Sequence, residues 1–387
     1  MQNKMKKFKR REFFKYSLAG TGGAVCSNLI SKVPFLTLPD TAYALSSSGR
    51  LSHIEAKYYK KLEHKEIECQ LCPRKCRVGD RERGYCGVRE NQKGVYYTLV
   101  YGLAPSFHKD PIEKKPFFHF LPGTDAFSIA TAGCNLNCKF CQNWELSQAR
   151  PEQTYNYELS PQTVVEYALK GNCPSIAYTY SEPTVFYEYM MDCAKSGKEK
   201  GVKSVMVSAG YIQPEPLIKL CRELTAVKID LKGFTEKYYQ EICRGKLQPV
   251  LDCLKELKRI GIWHEIVYLM VPTLNDDMGD IKKMCLWILN NLGPDVPIHF
   301  TRFTPLYLLK NLPLTPVSSL EQARKIAQEI GLNFVYIGNV PGHEGENTYC
   351  PKCKKAIVGR YGFTITQMNL QKGRCKFCGE KIPGVWV

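Results

Sequence analysis

Seven short apolar runs, each followed by a stretch long enough for a helix, constrain the fold of this 387-residue chain more than any other feature. The runs are 127–132, 175–180, 203–208, 226–230, 265–270, 298–303 and 333–338. Strands that alternate with helices indicate parallel βαβ units. A full eight-unit barrel usually takes about 250 residues, more than this region offers. The sequence therefore predicts an α/β fold, an incomplete (β/α)6-type TIM-like barrel, with its site at the carboxyl ends of the strands.

Composition and short motifs predict how the chain is divided. Residues 1–44 are predicted to be a twin-arginine-like signal or basic extension, 45–115 a cysteine-rich metal-binding module, 116–345 the barrel and 346–387 a zinc-ribbon-like module. The polar segment 110–116, which contains two prolines, predicts a linker. Ser160 before Pro161 predicts the start of one helix, and the segment Ser318 to Glu321 is a capping-box candidate for another.

The first apolar run ends in three closely spaced cysteines. Cys134, Cys138 and Cys141 form a Cys-x3-Cys-x2-Cys pattern, with Phe140 before the last of them. A closed zinc site and a cubane iron-sulfur cluster each need four ligands, so a local triplet leaves one metal position open. That open position can bind and activate a small molecule, which favours a cubane cluster over zinc.

The other cysteines are too numerous for an ordinary reduced protein of this size. Eight of the eighteen form two further clusters, and seven stand singly: Cys69, Cys72, Cys76 and Cys86; Cys350, Cys353, Cys375 and Cys378; then Cys26, Cys173, Cys193, Cys221, Cys243, Cys253 and Cys285. Metal-type spacing with leftover thiols favours metal sites over disulfides. The C-terminal pairs have zinc-ribbon spacing, with a rubredoxin-like iron as the alternative. The N-terminal set suits zinc or an auxiliary iron-sulfur cluster, and zinc is favoured.

The net charge of +17 has explanations other than nucleic acid. Residues 1–44 hold eight Lys or Arg and two acids, and thiolates at metal sites offset more of the excess. A basic motif interleaved with aromatic residues is missing from the sequence, so nucleic acid is an unlikely partner. No apolar run reaches the roughly 18 residues of a membrane span. Lys9 to Lys15 has the order of a twin-arginine signal and Ala42 to Ala44 that of a cleavage site, so export and an uncleaved arm both stay open.

Several motifs occur in the order known from one family. The cluster loop, Cys69 to Pro73, Gly84 to Arg89, Glu182-Pro183-Thr184, Asp230-Leu231-Lys232-Gly233 and both C-terminal pairs resemble the radical S-adenosylmethionine (SAM) protein of the AmmeMemoRadiSam system. That family is related to the pyruvate formate-lyase activating enzyme. The resemblance covers about residues 50–387 and implies a [4Fe-4S] cluster that cleaves SAM to a 5'-deoxyadenosyl radical. It also implies AMMECR and Memo proteins as partners.

The resemblance also implies residues that hold SAM. Glu182 matches a carboxylate available to the SAM ammonium, Ser208 a small polar residue near the ribose, Lys232 a partner for the SAM carboxylate beside Asp230, and His299 a histidine near SAM. One departure concerns the family's Gly-Gly-Glu-Pro run, in which Tyr180 and Ser181 replace both glycines.

Three functions follow from these observations. The first is a radical SAM enzyme that abstracts hydrogen from an unknown substrate, for which a glycyl-radical protein would fit, and that receives electrons from a low-potential donor such as flavodoxin or ferredoxin. The second is RNA modification by the same chemistry. The third is an exported iron-sulfur electron-transfer or metal-carrying protein that no longer uses SAM. SAM and low-potential electron donors are cytoplasmic, whereas the signal-like N-terminus predicts export by the twin-arginine route. The two observations therefore predict different compartments.

Overall fold

An eight-stranded mixed sheet forms the centre of the described chain. The computed structural model describes residues 51–386, and the predicted signal-like segment 1–44 lies outside them. We number the strands of the sheet β1 to β8: Ser106–Pro111, Asp125–Ala130, Ser175–Tyr178, Lys203–Ser208, Ala226–Asp230, Trp263–Met270, Ile298–Arg302 and Val335–Gly338. They lie side by side in chain order, and β2 to β8 are parallel. All seven predicted strands are confirmed.

Six helices connect the parallel strands and cover the sheet. They are α1 Pro161–Lys170, α2 Tyr187–Glu199, α3 Pro214–Cys221, α4 Gln248–Ile260, α5 Met278–Leu292 and α6 Val317–Ile330. Every residue of β3 is buried, as expected of a parallel strand with cover on both faces. Shorter helical segments are Trp144–Ser147, Glu236–Tyr238 and the π-helical Tyr239–Cys243, together with the 3-10 turns Glu63–Lys65, Ile112–Lys114, Pro151–Gln153, Pro183–Phe186 and Glu344–Glu346. Barrel curvature stays a prediction from the sequence.

The two predicted helix starts had different outcomes. The Ser160 hydroxyl accepts a hydrogen bond from the Thr163 amide at 3.1 Å, which confirms Ser160 as the N-cap of α1. The capping-box prediction at Ser318 was wrong. Helix α6 begins at Val317 after Pro316, so Ser318 already lies within the first turn. Proline before the helix fixes the backbone at the start without a side-chain cap.

The predicted linker at 110–116 was also wrong. Strand β1 contains Asp110 and pairs antiparallel with β2, so this segment is the edge of the main sheet. The 3-10 turn Ile112–Lys114 follows directly. The segment looked like a linker because its charged side chains and prolines are typical of exposed loops, but Asp110 is 5 % exposed and ion-paired. The predicted domain boundaries remain predictions.

Small antiparallel sheets stand before and after the main sheet in the sequence. Before it, Ile54–Glu55, Val95–Thr98 and Arg89–Gln92 form one sheet, and Tyr59–Lys61, Ile67–Cys69 and Arg77–Val78 form another. Leu103–Ala104, just before β1, pairs with Tyr157–Glu158, which lies between β2 and β3. After it, Thr348–Tyr349, Ala356–Tyr361 and Thr364–Met368 form one sheet, and Leu370–Gln371 pairs with Arg374–Cys375. Within residues 51–386, no helix has the length and apolar character needed to cross a membrane.

Candidate active site and metal centres

The loop after β2 carries the three predicted cluster ligands to the carboxyl end of the sheet. Cys134, Cys138 and Cys141 line one cavity of about 470 Å³. The loop is fixed to the segment after β5, because the Asn137 amide donates to the Cys243 carbonyl at 3.0 Å. Burial raises the pKa of the Cys134 thiol, so coordination to a metal is needed to stabilise its thiolate. Three such thiols around one cavity fit three corners of a cubane cluster.

Asp230 and Lys232, at the end of β5, line the same cavity. The Lys232 ammonium lies 3.4 Å from an Asp230 carboxylate oxygen, and Lys228 forms a second ion pair with Asp230. Burial alone would raise the pKa of Asp230, but the two lysines outweigh it and lower that pKa. The carboxylate is therefore charged, and Asp230 is still 31 % exposed toward the cavity. The predicted common orientation of Asp230 and Lys232 is confirmed.

Glu182 follows β3 and lines the cavity beside these residues. One carboxylate oxygen, Oε1, accepts from the Thr184 amide at 3.1 Å, the Thr184 hydroxyl at 2.7 Å and the Ser208 hydroxyl at 2.6 Å. The other, Oε2, accepts from the Ala209 amide at 2.9 Å. A carboxylate oxygen can accept a second donor, so Oε2 keeps capacity for an ammonium group. Ser208 thus acts through Glu182 and is not itself part of the cavity lining among the described residues.

Tyr180 and Ser181 stand where the family has glycines, and Tyr180 keeps a backbone conformation that glycine favours. Tyr180 has a φ of +66°, in the left-handed region. Its carbonyl accepts from the Asn143 side chain at 2.9 Å, and its hydroxyl donates to Asp110. These contacts hold a conformation that costs a non-glycine residue about 1–2 kcal/mol. The Ser181 hydroxyl is buried with no hydrogen-bond partner among the described residues, and Ser181 lines the cavity.

His299 lies away from this cavity. Its Nε2 is 2.8 Å from a Glu265 carboxylate oxygen, and both side chains are at most 1 % exposed. Its ring stacks on Tyr336 with centroids 4.8 Å apart. The Glu265 carboxylate also accepts from the backbone amides of Phe118 and His119, at 3.0 and 2.8 Å. Among the described residues that line the cavity, His299 is not present, so its contacts fix the segment after β1 instead.

Sequence reasoning missed a group of charged residues at one wall of the cavity. Lys114 and Lys115 line it, and both form ion pairs with Asp110, at 2.8 and 2.5 Å. Burial lowers the pKa of Lys115 to about 8, although Asp110 opposes the shift. Burial would raise the pKa of Asp110, but both lysines and Tyr180 lower it. The signal available in the sequence was the order Asp-x3-Lys-Lys, which is typical of many exposed segments.

The four C-terminal cysteines converge on one point. Their sulfur atoms all lie within 4.8 Å of one another, with Cys350 to Cys378 at 3.6 Å and Cys353 to Cys375 at 3.7 Å. Four thiolates at about 2.3 Å from a tetrahedral zinc lie about 3.8 Å apart, so the group fits one ion. The geometry does not distinguish zinc from a single iron.

The four N-terminal cysteines line a second, small cavity. Cys69 and Cys72 are 6 % and 8 % exposed, and Cys76 and Cys86 are half-buried. All four are free thiols. The Cys69 amide donates to the Cys76 carbonyl at 2.9 Å, which holds two of the ligand positions together. Four thiols around one cavity are the donor set that the predicted metal centre requires, and this centre stays a prediction.

Comparisons with known proteins show which family the chain belongs to. The radical SAM superfamily model matches residues 128–285. An uncharacterised protein of Methanocaldococcus jannaschii is 46% identical over 330 residues, which are 85% of this chain and 98% of that protein. The pyruvate formate-lyase-activating enzyme of Clostridium pasteurianum is 24% identical over 41% of this chain and 67% of its own. A biotin synthase of Prochlorococcus marinus subsp. pastoris is 26% identical over 45% of this chain and 53% of its own. The chain therefore belongs to the radical SAM superfamily, which implies a [4Fe-4S] cluster and SAM as cofactors.

Proposed function

We propose that this protein is an activating-enzyme-like radical SAM enzyme, whose cluster is held by Cys134, Cys138 and Cys141. One observation carries the proposal: the three thiols, Glu182 and the Asp230–Lys232 pair line a single cavity at the carboxyl ends of the strands. When bound, the cluster would supply the electron that cleaves SAM to methionine and a 5'-deoxyadenosyl radical. Radical SAM enzymes typically receive that electron from flavodoxin or ferredoxin.

The cavity residues have complementary tasks in this proposal. The Oε2 atom of Glu182 accepts from the SAM ammonium, a charge-assisted hydrogen bond. Lys232 would form an ion pair with the SAM carboxylate. Asp230 holds the Lys232 ammonium in position, with Nζ 3.4 Å from Oδ2. The unpartnered Ser181 hydroxyl offers one further hydrogen bond to SAM. Together these groups orient the reactive sulfonium, while the cluster carries the chemistry.

The activating-enzyme likeness extends the proposal to a protein substrate of the glycyl-radical type. AMMECR and Memo proteins as partners, and membership of the AmmeMemoRadiSam system, rest on the sequence resemblance. Zinc at the C-terminal site is proposed from the zinc-ribbon spacing of its cysteines, supported by sulfur separations of 3.6 and 3.7 Å. RNA modification by the same chemistry is the weaker alternative, since the sequence lacks a basic motif interleaved with aromatic residues.

The test is anaerobic cleavage of SAM by the full chain. The protein is reconstituted with iron and sulfide, reduced with dithionite and given SAM, and 5'-deoxyadenosine is quantified by chromatography. We expect the product with the native protein and with Cys285→Ala, a buried thiol in α5. We expect none with Cys138→Ala. A cluster that assembles normally in the native protein without SAM binding or cleavage would support the exported redox or metal-carrying protein instead.

A second variant tests how SAM is held. Glu182→Gln removes the charge that accepts the ammonium but keeps most of the shape of the side chain. A hydrogen bond to a charged group contributes about 1.5–3 kcal/mol, so SAM affinity should fall by about 10- to 150-fold. Equilibrium dialysis with labelled SAM measures this directly. Glu223→Gln is the control, because Glu223 pairs with Lys198 at 3.2 Å outside the cavity lining. Equal affinities in the two variants would refute the assigned role.

A further inference from the structure

The two four-cysteine sites differ in how closely their thiols approach. At the C-terminus the sulfur atoms lie within 4.8 Å of one another, as a single tetrahedral ion requires. Among residues 51–386, no other group of cysteine, histidine or carboxylate ligands is that compact. The three thiols of the SAM cluster loop are not so compact either, although they line one cavity. The N-terminal four line a cavity of their own and are not part of such a compact group among the described residues. A multi-iron cluster places irons and sulfides between its thiolates, so it does not require thiols this close.

The N-terminal site lies directly beside the SAM cluster loop. A Cβ atom at Gly133 would lie 2.8 Å from the Cys86 carbonyl oxygen, so the residue next to Cys134 touches the N-terminal ligand Cys86. Cys86 and Cys134 also line one further polar cavity. In addition, the Arg74 guanidinium donates to the Asn135 carbonyl at 2.5 Å. The loop that carries Cys134 therefore packs against the N-terminal cysteine site, and its residue Asn135 lines the cavity of the N-terminal cysteines.

We propose that Cys69, Cys72, Cys76 and Cys86 hold an auxiliary iron-sulfur cluster that passes electrons to the SAM cluster. The metal assignment stands alone, whereas the electron path rests on the proposed function. One electron comes from a ferredoxin- or flavodoxin-type donor, which is oxidised. It passes through the N-terminal centre, which returns to its starting state, and ends on the cluster held by Cys134, Cys138 and Cys141. No bond forms or breaks and no proton moves in this transfer.

The metal assignment is tested by metal content, with no need for activity. The Cys134→Ala/Cys138→Ala/Cys141→Ala variant of the full chain lacks the SAM cluster and keeps the N-terminal site intact. After anaerobic purification and reconstitution it should retain about four iron and about four sulfide per chain. Dithionite should then produce the electron paramagnetic resonance signal of a reduced cluster. Sulfide-free protein with zinc at both four-cysteine sites would overturn the assignment.

The electron path is tested by comparing two reductants. Cys76→Ala/Cys86→Ala should lower the ratio of 5'-deoxyadenosine formed with a ferredoxin or flavodoxin system to that formed with dithionite by at least about tenfold. Cys378→Ala, which removes a ligand from the C-terminal site, is the matched control and should keep the native ratio. An unchanged ratio in the double variant would refute the path. SAM cleavage by the native protein with dithionite shows separately whether the proposed function holds.

Discussion

A buried ion pair joins the strand Arg89–Gln92 to helix α2, and breaking it should destabilise the fold. Arg89 lies in the strand Arg89–Gln92, and Glu188 lies in the first turn of α2. Their side chains are 1 % and 3 % exposed and meet through two hydrogen bonds, at 3.1 and 2.5 Å. Arg89 also donates to the Val185 carbonyl at 3.1 Å, and the Lys57 amide donates to Glu188 at 2.7 Å.

The perturbation is Arg89→Met, which removes the cation and keeps an unbranched side chain. It leaves the Glu188 carboxylate buried, with the Lys57 amide as its remaining hydrogen-bond donor among the described residues. Removing one partner of a buried pair costs about 3–5 kcal/mol in the free energy of unfolding. The double variant Arg89→Met/Glu188→Leu buries no unpaired charge, so it should be closer in stability to the native protein than the single variant.

Equilibrium unfolding in urea, followed by circular dichroism, measures the double-mutant cycle. Lys219→Met is the control, since Lys219 and Glu215 form an exposed pair with side chains 53 % and 69 % exposed. An exposed pair contributes at most about 1 kcal/mol. A loss of about 1 kcal/mol or less for Arg89→Met would refute the reasoning. It would mean that the Arg89–Glu188 pair contributes little to the free energy of unfolding.

Two further predictions concern a titrating carboxyl group and a crowded glycine. Burial raises the pKa of Glu113 to about 7, against the opposing charge of Arg360, so native stability should fall as pH rises from about 5 through about 7. Glu113→Gln should remove about 3 kcal/mol of that dependence in urea titrations, and a parallel pH profile would contradict the shift. Gly133→Ala should cost at least about 2 kcal/mol in the same assay, because the new Cβ lies 2.5 Å from Val88 Cγ1 and φ is +94°. An unchanged midpoint would show that the two loops separate easily.

The strands were predictable because parallel strands covered on both faces appear as unbroken apolar runs. Residues Ile176 and Ala177 of β3, for example, are fully buried. The cysteine clusters were predictable because metal ligands must lie close together, and short spacings enforce that. The common orientation of Asp230 and Lys232 was predictable for a different reason, because alternate residues along a strand face the same side.

The sequence did not reveal hydrogen bonds between buried polar side chains that are distant in the chain. Asp110 lies within a segment that looked exposed, yet Tyr180, 70 residues later, covers it and donates a hydrogen bond to it. His299 Nε2 lies 2.8 Å from the carboxylate of Glu265, 34 residues earlier, and the predicted place of His299 near SAM stays a prediction. Local composition does not indicate either contact. A single sequence does not show which residues pair over such distances along the chain.

The replaced glycines bear directly on whether SAM chemistry has been lost. Tyr180 and Ser181 raised the possibility that the backbone part of the SAM contact is missing, which motivated the alternative of a protein without SAM chemistry. Tyr180 nevertheless keeps a φ of +66°, the conformation for which glycine is normally chosen. Asn143 and Asp110 hold it there through the Tyr180 carbonyl and hydroxyl. Because Tyr180 keeps the backbone conformation that glycine favours, the replacement of this one glycine is not by itself a reason to abandon SAM binding.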